Sequence, residues 1–211
     1  MLRAKDFRAE ARAALSGNWG VAILAWLIAG LILGAAGSTF VGTVLLMGPM
    51  MVGMAAVFAM LVRRKKPEIV NVFDGFKNFV NALVGGLLYT VFLCLWFLLF
   101  FIPGIIKSYS YAMTFYIMND NPDMDGMDAI TASRKMMNGN KWRLFCLDFS
   151  FIGWIILCML TFGLLFLYVG PYMEAAHAAF YQSLKGEEPA EAADFVEAET
   201  EETTDNGTEN A

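Results

Sequence analysis

The sequence predicts an all-α fold: a polytopic membrane helical bundle of about six spans, built from three repeated helical hairpins. Three observations predict it. Hydrophobic residues make up 58% of the chain and charged residues 17%, which is more apolar than a soluble domain of this length. Its apolar runs approach or reach the ~20 residues needed to cross a bilayer core of about 30 Å. The third observation is an internal repeat. Arg12-x-x-x-x-Gly17-Asn18-Trp19 superposes on Arg134-x-x-x-x-Gly139-Asn140-Lys141-Trp142, and Gly48-Pro49-x-Met51 … Phe58 on Gly170-Pro171-x-Met173 … Phe180. Asn18 to Pro49 and Asn140 to Pro171 are both 31 residues. A looser middle copy runs from Phe76-Lys77-Asn78-Phe79 to Pro103. A hairpin has two spans, so its copies share one orientation. This is parallel repetition, not the inverted repeat of many secondary transporters.

Residues 2–15 read as an amphipathic helix. Leu2, Phe7, Ala11, Ala14 and Leu15 share an apolar face, and Arg3, Lys5, Arg8, Glu10 and Arg12 take the rest. Such a helix ahead of a span is expected to lie on an anionic leaflet. Gly17 suits the left-handed position that ends it, and Trp19 suits the membrane interface. Asp6 and Glu10 interrupt the basic start, so an uncleaved first span is expected here rather than a signal peptide.

Span 1 is read over 21–37. Its Gly30, Gly34 and Ser38 show the four-residue spacing that lets helix backbones approach closely. Span 2 covers 43–62 and ends at Arg63-Arg64-Lys65-Lys66, a stop-transfer and lipid-headgroup patch. Span 3 covers 82–101, and Ile102-Pro103-Gly104 predicts a tight turn. Span 4, 105–119, is short and carries Lys107, Ser108, Tyr109, Ser110, Tyr111, Thr114 and Tyr116. Such a helix is expected to pack inside the bundle or line water rather than face lipid. A helix over 126–138 follows, with Asp125 as N-cap and Gly139 as its end. Spans 5 and 6 are read over 144–162 and 164–184.

The basic residues cluster in the N-terminal segment, the two longer loops and Lys185, which predicts cytoplasmic termini. The net charge of −5 belongs to the tail. Residues 186–211 hold ten acidic residues and no Lys or Arg, which leaves the body 1–185 with 15 basic residues against ten acidic. That tail reads as an acidic, disordered cytoplasmic segment. Cys94, Cys146 and Cys158 fall in apolar runs without paired spacing, and read as small core hydrophobes.

Few residues carry chemistry. Intramembrane charge is costly, so the ionisable residues in the spans are the candidate intramembrane polar site: Glu174, His177, Lys107 and Asp148. Glu174 and His177 are three apart and share a helix face. One reading makes them a proton- or ion-responsive path with Lys107 or Asp148 as counter-charges. The other has Glu174 neutral or paired, with Asp148 and Lys107 reaching the interfaces. No cofactor or metal is expected. Glu174-x-x-His177 lacks the second such pair of a di-metal bundle, and Asn121-x-Asp123-x-Asp125-Gly126 fails as a calcium loop because its twelfth position is Ala132.

An ordered series of motifs resembles one family. It comprises Gly17-Asn18-Trp19-Gly20, Asp74-Gly75-Phe76-Lys77, Ile102-Pro103-Gly104-Ile105-Ile106-Lys107, Ser108-Tyr109-Ser110-Tyr111, Ser133-Arg134-Lys135-Met136-Met137 with Lys141-Trp142-Arg143-Leu144-Phe145, Leu147-Asp148 with Ser150-Phe151-Ile152-Gly153-Trp154, and Pro171-Tyr172. Over 1–185 the chain resembles an uncharacterised bacterial integral membrane family, domain of unknown function 975. The resemblance implies a multi-pass protein of a bacterial plasma membrane and supplies no reaction or ligand.

The function expected from sequence is therefore a non-enzymatic scaffold, assembly factor or lipid-responsive partner. Its partners would be the bilayer, anionic headgroups at the cytoplasmic face and an unidentified protein, with no nucleic acid. The alternative is a small transporter or channel, which requires a hydrated cavity between spans 4 and 6 at Glu174 and His177. A membrane-embedded lipid enzyme is the third reading. It requires Glu174, His177 and Lys107 to converge.

Overall fold

A computed structural model describes residues 4–37, 40–99, 101–161 and 163–186. The acidic tail read from sequence lies, after Gly186, outside the described residues. Among the described residues the chain is helical and contains no strand. The elements are α1 (Ala4–Leu15), α2 (Trp19–Ala36), α3 (Phe40–Val62), a 3-10 helix (Ile69–Phe76), α4 (Phe79–Leu99), α5 (Phe101–Tyr111), α6 (Thr114–Asp120), α7 (Gly126–Met136), α8 (Lys141–Phe149), α9 (Ile152–Leu160) and α10 (Phe166–Lys185).

Four stretches are long and apolar enough to cross a membrane: Trp19–Ala36, Gly42–Val62, Phe79–Leu98 and Lys141–Leu160. The expected span 4 is broken into α5 and α6, and the expected span 6, α10, carries Glu174 and His177 in its middle. Exposed large apolar residues gather on α2, α4, α5, α9 and the start of α10, including Leu31, Leu98, Ile102, Leu160 and Leu164. The C-terminal halves of α3 and α10 are instead buried.

Each polar helix between the apolar ones folds back onto the body. The apolar face of α1 is the one read from sequence: Phe7, Ala11, Ala14 and Leu15 are buried. It is covered by α10 rather than by lipid, with Phe7 edge-on to Phe180 at 5.2 Å. The Tyr172 hydroxyl donates to the Arg8 carbonyl at 3.1 Å. The 3-10 helix lies along α3 at glycine contacts so close that a Cβ at Gly53 would strike the Val72 carbonyl, and one at Gly75 the Pro49 carbonyl. Helix α7 packs on α4 and α6, and its Ser133 bridges the break between α5 and α6. Ser133 Oγ accepts from the Met113 N–H at 3.2 Å and donates to the Ser110 carbonyl at 3.0 Å. These are backbone groups that the interrupted helix leaves without their usual partners.

Gly17 and Gly139, aligned by the internal repeat, both end a polar helix at φ 81°. The end of α3 uses Arg64 at φ 54° instead, in a Schellman closure: Lys65 N–H bonds Met60 O at 2.9 Å and Arg64 N–H bonds Leu61 O at 3.1 Å. The Arg64 guanidinium offsets this left-handed strain by donating to the Ala13 carbonyl at 3.0 Å, near the end of α1.

Three expectations are corrected. Pro103 is not in a turn. It occupies the first turn of α5, where a missing N–H costs no helical bond. The Gly30 and Gly34 stripe is not a close-packing seam, since no atom comes within 4 Å of a Cβ placed at either. The close approach is made by Gly48, whose added Cβ would strike the Ala82 carbonyl on α4. Of the three cysteines only Cys158 is buried, and Cys94 and Cys146 are exposed.

Candidate functional site

Helices α2, α3, α4, α6 and α10 line a half-open cavity of about 400 Å³. Its walls are apolar and aromatic: Trp26 from α2, Met51 and Met54 from α3, Tyr89 from α4, and Phe115 and Tyr116 from α6. Two ionisable side chains line it, Glu174 and His177, both on α10. They share a face because three residues make nearly one helical turn. Trp26 closes against α10 at Gly170, where an added Cβ would lie 2.7 Å from the indole.

His177 is held from outside the cavity. Its Nε2 lies 2.7 Å from Asp148 Oδ1 on α8, and both side chains are just over a quarter exposed. An imidazole N–H facing a carboxylate at this distance fixes the ring. On the α6 side, the Tyr116 hydroxyl points at the Glu174 carbonyl at 3.5 Å, and its ring stacks on Tyr181 at 5.2 Å.

Tyr181 leads to a second polar centre. Its hydroxyl donates to Asp120 Oδ2 at 3.0 Å, and the same oxygen accepts from Arg63 Nη2 and Lys185 Nζ, each at 2.8 Å. The ends of α3, α6 and α10 are thereby tied to one carboxylate. Burial alone would raise the Asp120 carboxyl. Hydrogen bonds from Arg63 and Lys185, the Arg63 charge and the Tyr181 hydroxyl outweigh it and hold the group below its ordinary range.

The structure brings together three of the four residues of the sequence-predicted polar site. Glu174, His177 and Asp148 form one group. Lys107 belongs elsewhere: its ammonium rests 4.5 Å from the Trp96 ring centroid and lines a separate groove against α7 and α8. The predicted headgroup patch also divides. Arg63 turns inward to Asp120 and Arg64 to Ala13, while Lys65 and Lys66 remain exposed. Sequence reasoning missed Asp120 and Tyr181, and it named Tyr116 only as one polar residue of span 4. Asp120 did leave a signal, because a carboxylate at a helix C-terminus opposes the helix dipole unless cations meet it.

In the Asn121-x-Asp123-x-Asp125 stretch ahead of α7, Asp125 is the cap: its Oδ1 accepts from the Gly126 N–H at 2.8 Å.

Four helical stretches of this length and hydropathy mark a membrane protein of the α-helical class. The chain belongs to the family described as protein of unknown function (DUF975), whose model matches residues 1–107 and 97–188. No curated protein and no solved structure matches it.

Proposed function

We propose that this is a non-enzymatic, six-span protein of a bacterial plasma membrane, with both termini in the cytoplasm and three repeated hairpins. On this reading it binds a small solute in the Glu174–His177 cavity and couples the passage of that solute to protonation. The observation that carries the reading is the cavity itself. It lies where α6 meets α10, as a transport path between spans 4 and 6 requires, and Glu174 and His177 face it from otherwise apolar walls. Aromatic walls beside a carboxylate suit a cationic solute, since Trp26, Tyr89, Phe115 and Tyr116 offer π faces and Glu174 offers the counter-charge. His177, fixed by Asp148, supplies a second proton-exchanging group beside Glu174.

The test is ion and proton flux in proteoliposomes, comparing the native chain with Glu174→Gln. Flux abolished by the substitution supports the reading. Absence of flux across several cations and pH values removes it.

A second reading, a contact-based scaffold or lipid-responsive partner, rests on a different observation. The 3-10 helix exposes Ile69, Val70 and Phe73 shortly after the exposed Lys65 and Lys66, a composition suited to an anionic membrane surface or a partner helix. This reading takes precedence if no flux is seen and if changing these residues releases a co-purifying lipid or protein.

A further inference from the structure

Outside the cavity, the charges of α5, α7 and α8 are arranged in an unusual way. Lys107 and Ser110 from α5, Thr131, Arg134 and Lys135 from α7, Asn138 and Lys141 line a groove of about 360 Å³. Four of these residues are cations, and no carboxylate lines the groove. Among the described residues none of the four forms an ion pair. Arg63 and Lys185, by contrast, share Asp120, and Lys77 pairs with Asp74.

Convergent unpaired cations repel one another. Arg134 and Lys141 both act on the Lys107 ammonium. The Lys107 ammonium is half-buried and seated on the Trp96 ring beside them. Neutral donors complete the lining. The Thr131 hydroxyl and the Asn138 amide make no hydrogen bond to the described residues, whereas Ser110 Oγ is used by the Ile106 carbonyl. A contrasting cleft of about 200 Å³ beside the 3-10 helix has satisfied its own polar groups, with Asn78 and Asn81 donating to the Pro122 carbonyl.

We infer that the Lys107–Arg134–Lys135–Lys141 groove binds a phosphate-bearing anion. One guanidinium and three ammonium groups around a small volume more than offset the roughly two negative charges of a phosphomonoester and supply donors for its several acceptor oxygens. Two sources carry this chemistry, a phospholipid headgroup and free phosphate. The surroundings favour the lipid. Ile106, next to Lys107, and Trp142, next to Lys141, are exposed apolar residues beside the groove, where acyl chains would lie under a bound headgroup. The inference is independent of the Glu174–His177 cavity.

The full chain in phosphatidylcholine nanodiscs tests it in two arms. One arm titrates short-chain phosphatidic acid and the other inorganic phosphate. Saturable binding of phosphatidic acid alone assigns a lipid headgroup, and binding of inorganic phosphate as well assigns the free anion. In either case the triple variant Lys107→Gln, Arg134→Gln, Lys141→Gln binds on the order of a hundredfold more weakly, since each cation near a membrane surface is worth about fivefold. Arg134→Gln alone is exposed and spares the fold, and it loses about fivefold by the same rule. Lys77→Gln, outside the groove and paired with Asp74, leaves the affinity unchanged. The inference is overturned if neither probe saturates, or if Arg134→Gln and the triple variant bind as tightly as the native chain.

Discussion

His177 Nε2 lies 2.7 Å from Asp148 Oδ1, joining α10 to α8 beside the cavity that Glu174 and His177 line. In sequence the two are 29 residues apart, and only the packing of α8 against α10 brings them together. A hydrogen bond of this kind, partly shielded from solvent, contributes energy that depends on both partners. A double-mutant cycle with His177→Phe and Asp148→Leu is expected to give a coupling of about 1–2 kcal/mol in thermal or denaturant unfolding in detergent. Coupling near zero would mean that the contact holds nothing together.

Cavity filling separates transport from folding. Gly30 lines the cavity and has open space around its Cβ direction. Gly30→Leu is expected to keep the unfolding temperature of the native chain, because a helical Gly is replaced by a better helix former. It is also expected to suppress the flux assigned to the cavity. Retained flux in a folded Gly30→Leu chain would move the solute path elsewhere.

The Asp120 centre predicts an acid limb. The Asp120 carboxyl is held below its unfolded value, so its network stabilises the fold at every pH above about 4 and that stabilisation is lost as pH falls through the lower, folded value. Asp120 is 10% exposed and its cationic partners are 26% and 29% exposed, so solvent screening is modest. Asp120→Asn is expected to cost about 2–3 kcal/mol near neutrality, less than a fully buried pair, because Arg63 and Lys185 are left without their shared anion. The variant should also lose less stability than the native chain on acidification. Parallel acid limbs for the two chains would rule out Asp120 as the titrating group.

Glycine contacts give the sharpest stability contrast. At Gly48 a side-chain carbon meets backbone of α4, which cannot rotate aside. Gly48→Ala is expected to lose about 3 kcal/mol or more, the upper end of overpacking costs. Gly34→Ala on α2 meets nothing within 4 Å and is expected to be neutral or slightly stabilising. Equal effects at both sites would contradict the packing of α3 on α4.

Topology has its own check. With six spans and a cytoplasmic start, a fluorescent protein fused after Ala211 should fold and fluoresce, and alkaline phosphatase at the same place should be inactive. The opposite pattern would require an odd number of spans or a different crossing segment.

Much of this was legible from residue order. Periodicity placed the apolar face of α1 on Phe7, Ala11, Ala14 and Leu15, because side-chain direction in a helix follows from spacing. The N-cap Asp125 and the left-handed Gly17 and Gly139 were legible because they depend on a few neighbouring backbone dihedrals. The burial of α6, the second half of span 4, followed from the cost of placing its hydroxyls in lipid. Sequence spacing misjudged Gly30 and Gly34, because a small-residue stripe says that a helix could approach and not that one does. It also grouped Lys107 with Glu174 and His177, since membrane depth read from sequence carries no angular information about the bundle.

The sequence by itself determined the helical class, the apolar stretches, the helix ends and the list of costly intramembrane charges, all of which follow from local composition and backbone sterics. Only the tertiary structure decided which charges meet. It paired Asp148 with His177, gave Asp120 three partners from two other helices and left four cations facing one another across a groove. The physical reason is that electrostatic partnership falls off over a few ångströms, and distances of that order between remote segments are set by how the helices pack.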